Sequence, residues 1–200
     1  MVDWDAEGPR LQANLSTVLR AERDRAAARH RLSSLDALEW QKTIMTGLVV
    51  PDPAYVGRFR GAPGLETCQV HVNGQPGVLP GAVGMALASF DDRLFAALNV
   101  LDEIIPPGAA LDADTLNAVI DLCAWAHAEW VRIHPLANGN GRTARMWANV
   151  IAMRYGVPPF VALRPRPDGG YGAAAAAAMN GDWRPTAAVF RGMLYDALTP

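Results

Sequence analysis

The chain has 200 residues, of which half are hydrophobic and 19% are charged. This length and composition indicate one globular domain with a buried core, and they exclude disordered, collagen-like and disulfide-scaffold proteins. The formal net charge of −2 provides no overall cationic field. The sequence therefore predicts no nucleic-acid partner and no membrane-surface binding, and any phosphate site must be local.

The cysteines and the N-terminus bear on the cellular compartment. Cys68 and Cys123 are far apart and form no CxxC pair, which is typical of small buried thiols in a reducing compartment. Met1 to Arg10 carries acids where a secretory signal has basic residues, and no apolar run follows. No stretch approaches the roughly 18 apolar residues of a membrane span. We therefore expect a cytoplasmic protein without a membrane segment.

The N-terminal part of the chain has helical periodicity. Leu11 to His30 alternates arginines with an apolar stripe, which predicts a solvated helix. Ser33 or Ser34 can cap a second helix that Gly47 would end. This pattern predicts a helical extension over residues 1–32 and a main domain over residues 33–198.

A single β-hairpin is expected among helices. Thr67 to Val72 alternates in polarity before Asn73-Gly74, a dipeptide suited to a tight turn. Further helices are predicted over Gly81–Val100, from Asp112 or Asp114 to His134, over Arg142–Tyr155, and, as one or two helices, over Gly170–Leu198. The apolar positions in the first of these helices are Met85, Ala88, Leu94, Phe95 and Leu98. The predicted fold is mainly α with a small hairpin.

The stretch HPLANGNGRTAR, from His134 to Arg145, lies between two predicted helices and has the composition of a phosphate site. Its glycines allow close approach of the backbone to a ligand, and the following helix N-terminus attracts an anion. Arg142 and Arg145 would lie in the first turn, where positive charge is unfavourable unless an anion compensates it. Asn140 can donate an amide hydrogen bond there, and His134 can accept a proton near neutral pH.

Other motifs of nucleotide or metal chemistry do not fit. The segment from Gly139 to Ala144 matches GxGxxA, but a dinucleotide fold needs a preceding strand, and here a long amphipathic helix precedes it. The chain has no GxxxxGK[ST], so a P-loop is excluded. His127 and Glu129 form the HxE element of zinc deaminases, yet no PCxxC follows. His127 and Trp130 are therefore expected to be packing residues.

The stretch from His134 to Arg145 resembles the signature HPFx[D/E]GNGRxxR of the Fic (Fic/Doc) domain family. The resemblance extends over about Ser33 to Leu198, and it includes a GRFR segment at Gly57 that leads into the hairpin. It implies a Fic-type helical bundle with a β-hairpin flap. Most characterised members transfer AMP from ATP to a hydroxyl side chain of a target protein and release pyrophosphate.

The resemblance implies a role for each motif residue. His134 would be the general base for the hydroxyl, and Arg142 and Arg145 would hold the β- and γ-phosphates of ATP. Asn140, with backbone amides around Gly139 and Gly141, would hold the α-phosphate. These donors would already point at the charge that develops there, which is electrostatic preorganisation. The flap would bind the target protein by strand addition and position its Ser, Thr or Tyr hydroxyl. The flap residues are Cys68, Gln69, Val70, His71 and Val72.

The motif departs from the family pattern at two positions. Leu136 replaces a phenylalanine, which is one apolar residue for another. Asn138 replaces the acid that binds Mg²⁺ in the family, and an amide lacks the carboxylate charge, so a metal site at Asn138 would be weakened. Gly141 distinguishes the chain from the Doc subgroup, which carries lysine there and phosphorylates its target.

Family members are commonly inhibited by a helix with the motif [S/T]xxxE[G/N]. No Ser or Thr here has Glu four residues later, and the nearest approach is Ser34 to Glu39. If the protein is regulated in the family way, the resemblance implies a bacterial toxin–antitoxin arrangement in which a separate small antitoxin supplies the glutamate. The alternatives are a member without this control and a member with a divergent inhibitory helix. The main functional hypothesis is protein adenylyl transfer. The alternatives are a nucleotide-binding or protein-interaction module with weak or lost catalysis, and transfer of another nucleotide or phosphate-linked group.

Overall fold

The computed structural model describes residues 8–72 and 74–199. The described chain is mainly helical, with a two-stranded antiparallel hairpin formed by β1 (His71–Val72) and β2 (Gln75–Pro76). The α-helices are α1 (Pro9–Ala27), α2 (Ser34–Met45), α3 (Val83–Ile104), α4 (Ala113–Ile133), α5 (Asn140–Arg154), α6 (Tyr171–Met179) and α7 (Arg184–Leu198). The predicted fold class is confirmed.

Local capping residues explain where the helices begin. At the start of α2 the carboxylate of Asp36 accepts a hydrogen bond from the backbone N–H of Ser33 at 2.8 Å. At the start of α4 the carboxylate of Asp112 accepts from the backbone N–H of Thr115 at 2.8 Å. Such contacts satisfy N–H groups that lack a partner within the helix. Both starts were predicted from sequence.

Helix α4 is the centre of the bundle and packs against α3, α5, α6 and α7. An aromatic cluster joins it to its neighbours. The Phe90 ring lies 5.2 Å from Trp147 and 5.5 Å from Trp130, and Trp147 lies 4.8 Å from Trp40, between centroids. These rings are almost fully buried. The cluster therefore fixes the end of α4 relative to the start of α5, between which the HPLANGNG loop runs.

The apolar face of α3 differs from the prediction. Met85 and Phe95 are 76% and 43% exposed, and Ala88 is exposed as well. The face that packs into the core is formed by residues spaced four, three, four, four and three apart, namely Val83, Leu87, Phe90, Leu94, Leu98 and Leu101. This spacing follows the 3.6-residue turn, whereas Met85 and Phe95 lie outside that stripe. The apolar character of a residue alone therefore did not predict whether it is buried on α3.

Helix α1 contributes Leu11, Leu15 and Val18 to the same core and packs against α2 and α5. The predicted division at residue 32 stays a prediction. Of the cysteines, Cys123 is fully buried as expected, while Cys68 is partly exposed. In the part of the chain that the structure describes, no helix combines the length and the apolar character needed to cross a membrane.

Candidate active site

The site is built on the turn that joins α4 to α5. Pro135 disfavours the right-handed helical conformation at residue 134, and His134 adopts a left-handed one, with φ +52° and ψ +55°. Gly139 also has a left-handed φ, of +90°, directly before α5. Glycine adopts this conformation without the cost of a side chain. The turn therefore reverses the chain sharply and brings His134 near the start of α5.

Asn140 holds this loop in shape. Its Oδ1 accepts a hydrogen bond from the backbone N–H of Leu136 at 2.8 Å, and its Nδ2 donates to the carbonyl of Leu136 at 2.7 Å. The side chain is 3% exposed. The amide is thus already bonded to the loop on both of its polar atoms, a role that the sequence did not predict. Because Nδ2 carries a second hydrogen, its predicted contact with an α-phosphate stays a prediction.

The first turn of α5 presents backbone donors. The earliest hydrogen bond at its start runs from the N–H of Thr143 to the carbonyl of Gly139, at 3.0 Å. The N–H groups of Asn140, Gly141 and Arg142 precede this bond in the chain, so the helix itself provides no acceptor for them. Together with the helix dipole, they favour binding of an anion. Trp130 donates from Nε1 to the Thr143 hydroxyl at 2.8 Å. The core therefore holds this turn against α4.

His134 has the protonation state that a general base needs. Its Nδ1 lies 3.1 Å from the carbonyl oxygen of Val131. Because a carbonyl only accepts, this contact assigns the ring proton to Nδ1 and leaves the Nε2 lone pair available. Burial is the largest cause that lowers the pKa of His134, the Val131 contact raises it, and the charge of Arg60 lowers it, so that the pKa is about 4. The ring is therefore neutral at pH 7.

This state can be measured directly. We expect the ring resonances of His134, assigned by their loss in His134→Ala, to titrate by NMR with a midpoint near pH 4 in the free protein. Lowering the pH charges the ring only near that value, because the buried imidazolium is poorly solvated. A midpoint near the ordinary value of about 6.5 would contradict the assignment of a neutral, buried base.

A cavity of about 520 Å³ opens beside this loop. Its walls include His134, the residues from Ala137 to Arg142, and Arg145. Two arginines from the connection between α5 and α6, Arg164 and Arg166, line it as well. Among the described residues that line the cavity, none is acidic. Four arginine side chains therefore border this cavity, and arginines are residues that bind ligands with negative charges.

Arg145 is held in place by a buried hydrogen-bond chain. It is 4% exposed, and it donates to the Tyr171 hydroxyl at 3.2 Å and to the carbonyl of Leu163 at 2.9 Å. The Tyr171 oxygen lies 2.7 Å from Nε2 of His127. Burial, followed by the charge of Arg145, lowers the pKa of His127 to about 3, so Nε2 can accept from Tyr171. His127 is a packing residue, as predicted, and it also supports Arg145 through Tyr171.

The hairpin lies against the loop between α4 and α5. Val70, His71 and Val72 line the cavity, whereas Cys68 and Gln69 precede the short strand and are not among its lining residues. That this segment binds a target protein stays a prediction. A Cβ on Gly77 would lie 2.8 Å from the Cβ of His134. The flap therefore contacts the histidine directly, and only glycine fits at that point. The predicted turn at Asn73 lies outside the described residues.

Arg60, in the GRFR segment, connects the flap to the loop between α4 and α5, and no role was predicted for it from the sequence. It is 1% exposed, and its guanidinium donates to the carbonyls of His134 at 2.7 Å, Cys68 at 3.1 Å and Val78 at 2.7 Å. Its backbone N–H donates to the carbonyl of Pro135 at 2.8 Å. Burial lowers the pKa of Arg60. One side chain thus binds both sides of the flap and the end of α4.

The donor set at Asn138 does not fit a protein-held Mg²⁺. Its Oδ1 accepts from the backbone N–H of Gly139 at 2.6 Å and lies 3.4 Å from a guanidinium nitrogen of Arg142. Mg²⁺ prefers carboxylates and waters in octahedral geometry. Within residues 8–72 and 74–199, no group of three or more His, Cys, Asp or Glu side chains could hold a metal ion. That Mg²⁺ accompanies the nucleotide stays a prediction.

Comparison with known proteins agrees with this arrangement. The family model described as "Fic/DOC family" matches residues 31–152, a span that contains the flap, Arg60 and the loop up to Arg145. The chain belongs to the Fic/DOC family. This confirms the resemblance of the motif from His134 to Arg145.

The curated relatives of this Fic/DOC chain include animal enzymes. "Protein adenylyltransferase fic-1" of Caenorhabditis briggsae is 33% identical over 132 residues, which is 66% of this chain and 21% of the relative. The protein of the same name in Caenorhabditis elegans is 34% identical over 127 residues, 63% of this chain and 20% of the relative. The chain thus spans about a fifth of the length of these relatives. A bacterial toxin–antitoxin setting stays a prediction.

Solved structures of Fic proteins share the fold. A Fic domain containing signaling protein from Bacteroides thetaiotaomicron has a TM-score of 0.66 at 18% identity, covering 95% of this chain and 70% of the other. Fic-1 from C. elegans has a TM-score of 0.65 at 29% identity, covering 92% and 48%. The observed helical bundle with its hairpin is therefore a Fic-type fold.

Proposed function

We propose that this chain transfers AMP from ATP to a hydroxyl side chain of a target protein and releases pyrophosphate. One observation carries the proposal: a neutral histidine, His134, with an available Nε2 stands beside an arginine-lined cavity. The adenylyltransferase names of the animal relatives support this class of reaction. A general base next to a polyphosphate site is the arrangement that transfer to a hydroxyl requires.

In the proposed chemical step, each residue of the motif from His134 to Arg145 that was named above has one role. The target hydroxyl oxygen attacks the α-phosphorus of ATP, and its proton passes to Nε2 of His134. The bond from the α-phosphorus to the oxygen bridging it to the β-phosphate breaks, and pyrophosphate departs with that electron pair. Asn140 and the N–H groups of the first turn of α5 stabilise charge at the α-phosphate. Arg142 and Arg145 bind the β- and γ-phosphates of the leaving group.

The flap supplies the position of the target. β1 is two residues long and borders the cavity beside His134. An extended segment of a target protein that added to this edge would bring a Ser, Thr or Tyr hydroxyl next to Nε2. Main-chain hydrogen bonds would then supply the affinity, while the side chains of the segment would select the target.

The position of the label in ATP tests the proposal. Purified protein is incubated with a cell lysate and with ATP labelled on either the α- or the γ-phosphate. We expect protein bands to acquire the α-label and not the γ-label, because the α-phosphate stays with the adenosine that is transferred. Bands labelled from the γ-phosphate would show phosphoryl transfer instead, and absence of label from either position would contradict transfer.

A second candidate function is a nucleotide-binding module without catalysis, and Asn138 is the observation that favours it. We expect Asn138→Asp to raise the Mg²⁺-stimulated rate of AMP transfer about tenfold, because a carboxylate restores a charged ligand for the cation. The comparison is Asn138→Ala, which removes the Oδ1 contact with Gly139. Transfer by the wild-type chain rules out the module. Transfer by Asn138→Asp alone identifies the wild-type chain as a module.

Control of the site belongs to the same proposal. Glu39, the nearest approach to an inhibitory motif, is exposed, lies 2.6 Å from Lys42 and is not among the residues that line the cavity. We therefore place an inhibitory glutamate on a separate small chain in the same cytoplasm. Such a glutamate would bind Arg145 and compete with the terminal phosphate of ATP for that guanidinium.

A further inference from the structure

Asn138 is followed by a glycine, and an Asn-Gly pair is chemically reactive. The backbone nitrogen of the glycine can attack the carbon of the asparagine side-chain amide, because glycine has no side chain that blocks the approach. Among the described residues, Asn-Gly pairs occur at Asn138, Asn140 and Asn180. The structure places these three pairs in different surroundings, so they should react at different rates.

At Asn138 the attacking nitrogen is already close to the amide. The nitrogen of Gly139 lies 2.6 Å from Oδ1 of Asn138. Because a C=O bond is about 1.2 Å long, this nitrogen lies within about 3.8 Å of Cγ, the carbon that it would attack. Reacting atoms poised for attack are about 3 to 3.5 Å apart. Within residues 8–72 and 74–199 the Gly139 N–H has no main-chain acceptor, so the attack breaks no main-chain hydrogen bond.

The surroundings of Asn138 favour the charge that such an attack develops. Negative charge forms on the Gly139 nitrogen and then on Oδ1. This oxygen lies 3.4 Å from a guanidinium nitrogen of Arg142, at the positive end of the α5 dipole. Asn138 is also partly exposed and lines the cavity, where water can reach it. The loop therefore combines a nucleophile, stabilisation of charge and access for water.

The other two pairs lack this arrangement. Asn140 is 3% exposed, and its Oδ1 and Nδ2 are both bonded to the backbone of Leu136. Asn140 and Gly141 also lie in α5, so the attack would require the helix to open. At Asn180 the nitrogen of the next residue, Gly181, donates to the carbonyl of Ala178 at 2.9 Å. Reaction at either pair must therefore wait for local opening of the chain.

We propose that Asn138 is a site of self-modification, at which the folded chain converts an amide into a carboxylate. The Gly139 nitrogen loses its proton to solvent and bonds to Cγ of Asn138. The bond from Cγ to Nδ2 then breaks, and ammonia leaves with that electron pair and a proton. Water opens the resulting cyclic imide at either of its carbonyls, which gives aspartate or isoaspartate. Overall one water is consumed and one ammonia is released, without oxidation or reduction.

The aspartate product changes the chemistry of the cavity. Asn138 stands where the family carries an acid, and the amide oxygen alone does not fit a protein-held Mg²⁺. A carboxylate at this position supplies the charged oxygen ligand that the cation prefers. The conversion thus gives the loop a metal ligand that the encoded sequence lacks. Its consequence for AMP transfer rests on the proposed function, whereas the conversion itself does not.

Peptide mass spectrometry tests the conversion in the wild-type chain. The protein is incubated at mildly alkaline pH, either folded or unfolded in urea, and digested at acidic pH, where the reaction is slow. Fragment spectra then separate Asn138 from Asn140. In the folded chain we expect Asn138 to convert at least about tenfold faster than Asn140, which reacts only after local opening. In urea this difference should disappear. Equal rates in the folded chain, faster conversion of Asn140, or no conversion of Asn138 would overturn the proposal.

Two variants test the role of the glycine nitrogen. Gly139→Ala should slow the conversion of Asn138, because a Cβ obstructs the attack. Gly141→Ala is the matched control and should leave that rate unchanged. A thermal melt shows whether each variant folds. If Gly139→Ala does not fold, the wild-type comparison of Asn138 with Asn140 decides alone. Conversion of Asn138 at the wild-type rate in a folded Gly139→Ala would overturn attack by this nitrogen.

Calorimetry with Mg²⁺ alone tests the effect on the cavity. The aspartate form, isolated by ion exchange, should bind Mg²⁺ about tenfold more tightly than the unconverted chain. Equal affinities would overturn the role in metal binding. Conversion of Asn138 in a chain that never transfers AMP would support the self-modification and reject the proposed function. Transfer of AMP by a chain in which Asn138 does not convert would do the opposite.

Discussion

His134→Ala is expected to slow the transfer of AMP about 100- to 10,000-fold, the range that a positioned general base contributes. The variant removes the Nε2 acceptor while leaving Arg142 and Arg145 in the cavity, so ATP affinity by calorimetry should change less than about threefold. The measurement is the initial rate of α-label incorporation into the lysate protein that the wild-type chain labels most strongly.

The control for this variant is His30→Ala. His30 lies after α1, where its Nδ1 contacts the carbonyl of Arg25, and it does not line the cavity. It should transfer AMP at the wild-type rate. A loss of less than about tenfold in His134→Ala would remove proton transfer to this histidine from the mechanism.

Arg60→Met is expected to lower the free energy of unfolding by about 3 kcal/mol, because several carbonyls, most of them partly buried, lose their donor. Those carbonyls belong to His134, Cys68 and Val78, on both sides of the flap. Denaturant unfolding measures the loss. Arg58→Met is the matched control, since Arg58 is exposed. Within the described residues, its side chain donates one hydrogen bond, to the carbonyl of Pro63.

If Arg60 positions the flap and His134, two further effects of its removal are expected. Removing its charge should raise the midpoint of the His134 titration, because that cation opposes protonation of the ring. The KM for the protein target should rise more than the dissociation constant for ATP, since the flap and not the arginine cavity loses its anchor. Arg60→Lys keeps the charge but has fewer hydrogen-bond donors. Compared with Arg60→Met, it should bring the His134 titration midpoint back towards the wild-type value more fully than the free energy of unfolding. A His134 titration unchanged in Arg60→Met would leave only a structural role.

Local chemistry made the helical skeleton predictable. Asp112 and Ser33 stand at the starts of helices as expected, and Pro135 forces α4 to end beside His134. The hairpin was expected from alternation before the turn, although its strands are only two residues long. Met85 and Phe95 were counted among the apolar positions of this helix but are exposed, because burial on α3 follows the helical turn.

The site was predictable only where its residues are adjacent in sequence. His134, Arg142 and Arg145 share one motif, and the structure brings them to one cavity with the flap. Arg164 carries no local signal of that kind, because its place in the cavity results from the path of the chain between α5 and α6. Arg60 is similar, since its acceptors at Cys68, Val78 and His134 meet only in the folded chain. For Asn140 the sequence predicted only a contact with the ligand. Its two hydrogen bonds with the Leu136 backbone depend on the conformation of the loop.

The intact mass of a target protein, purified after incubation with this chain and ATP, tests adenylyl transfer most directly. The expected result is a gain equal to one AMP group, which peptide mapping places on a Ser, Thr or Tyr side chain and which is absent with His134→Ala. A gain equal to a phosphate, a gain that persists in His134→Ala, or an unchanged mass in a protein that carries the α-label would contradict it.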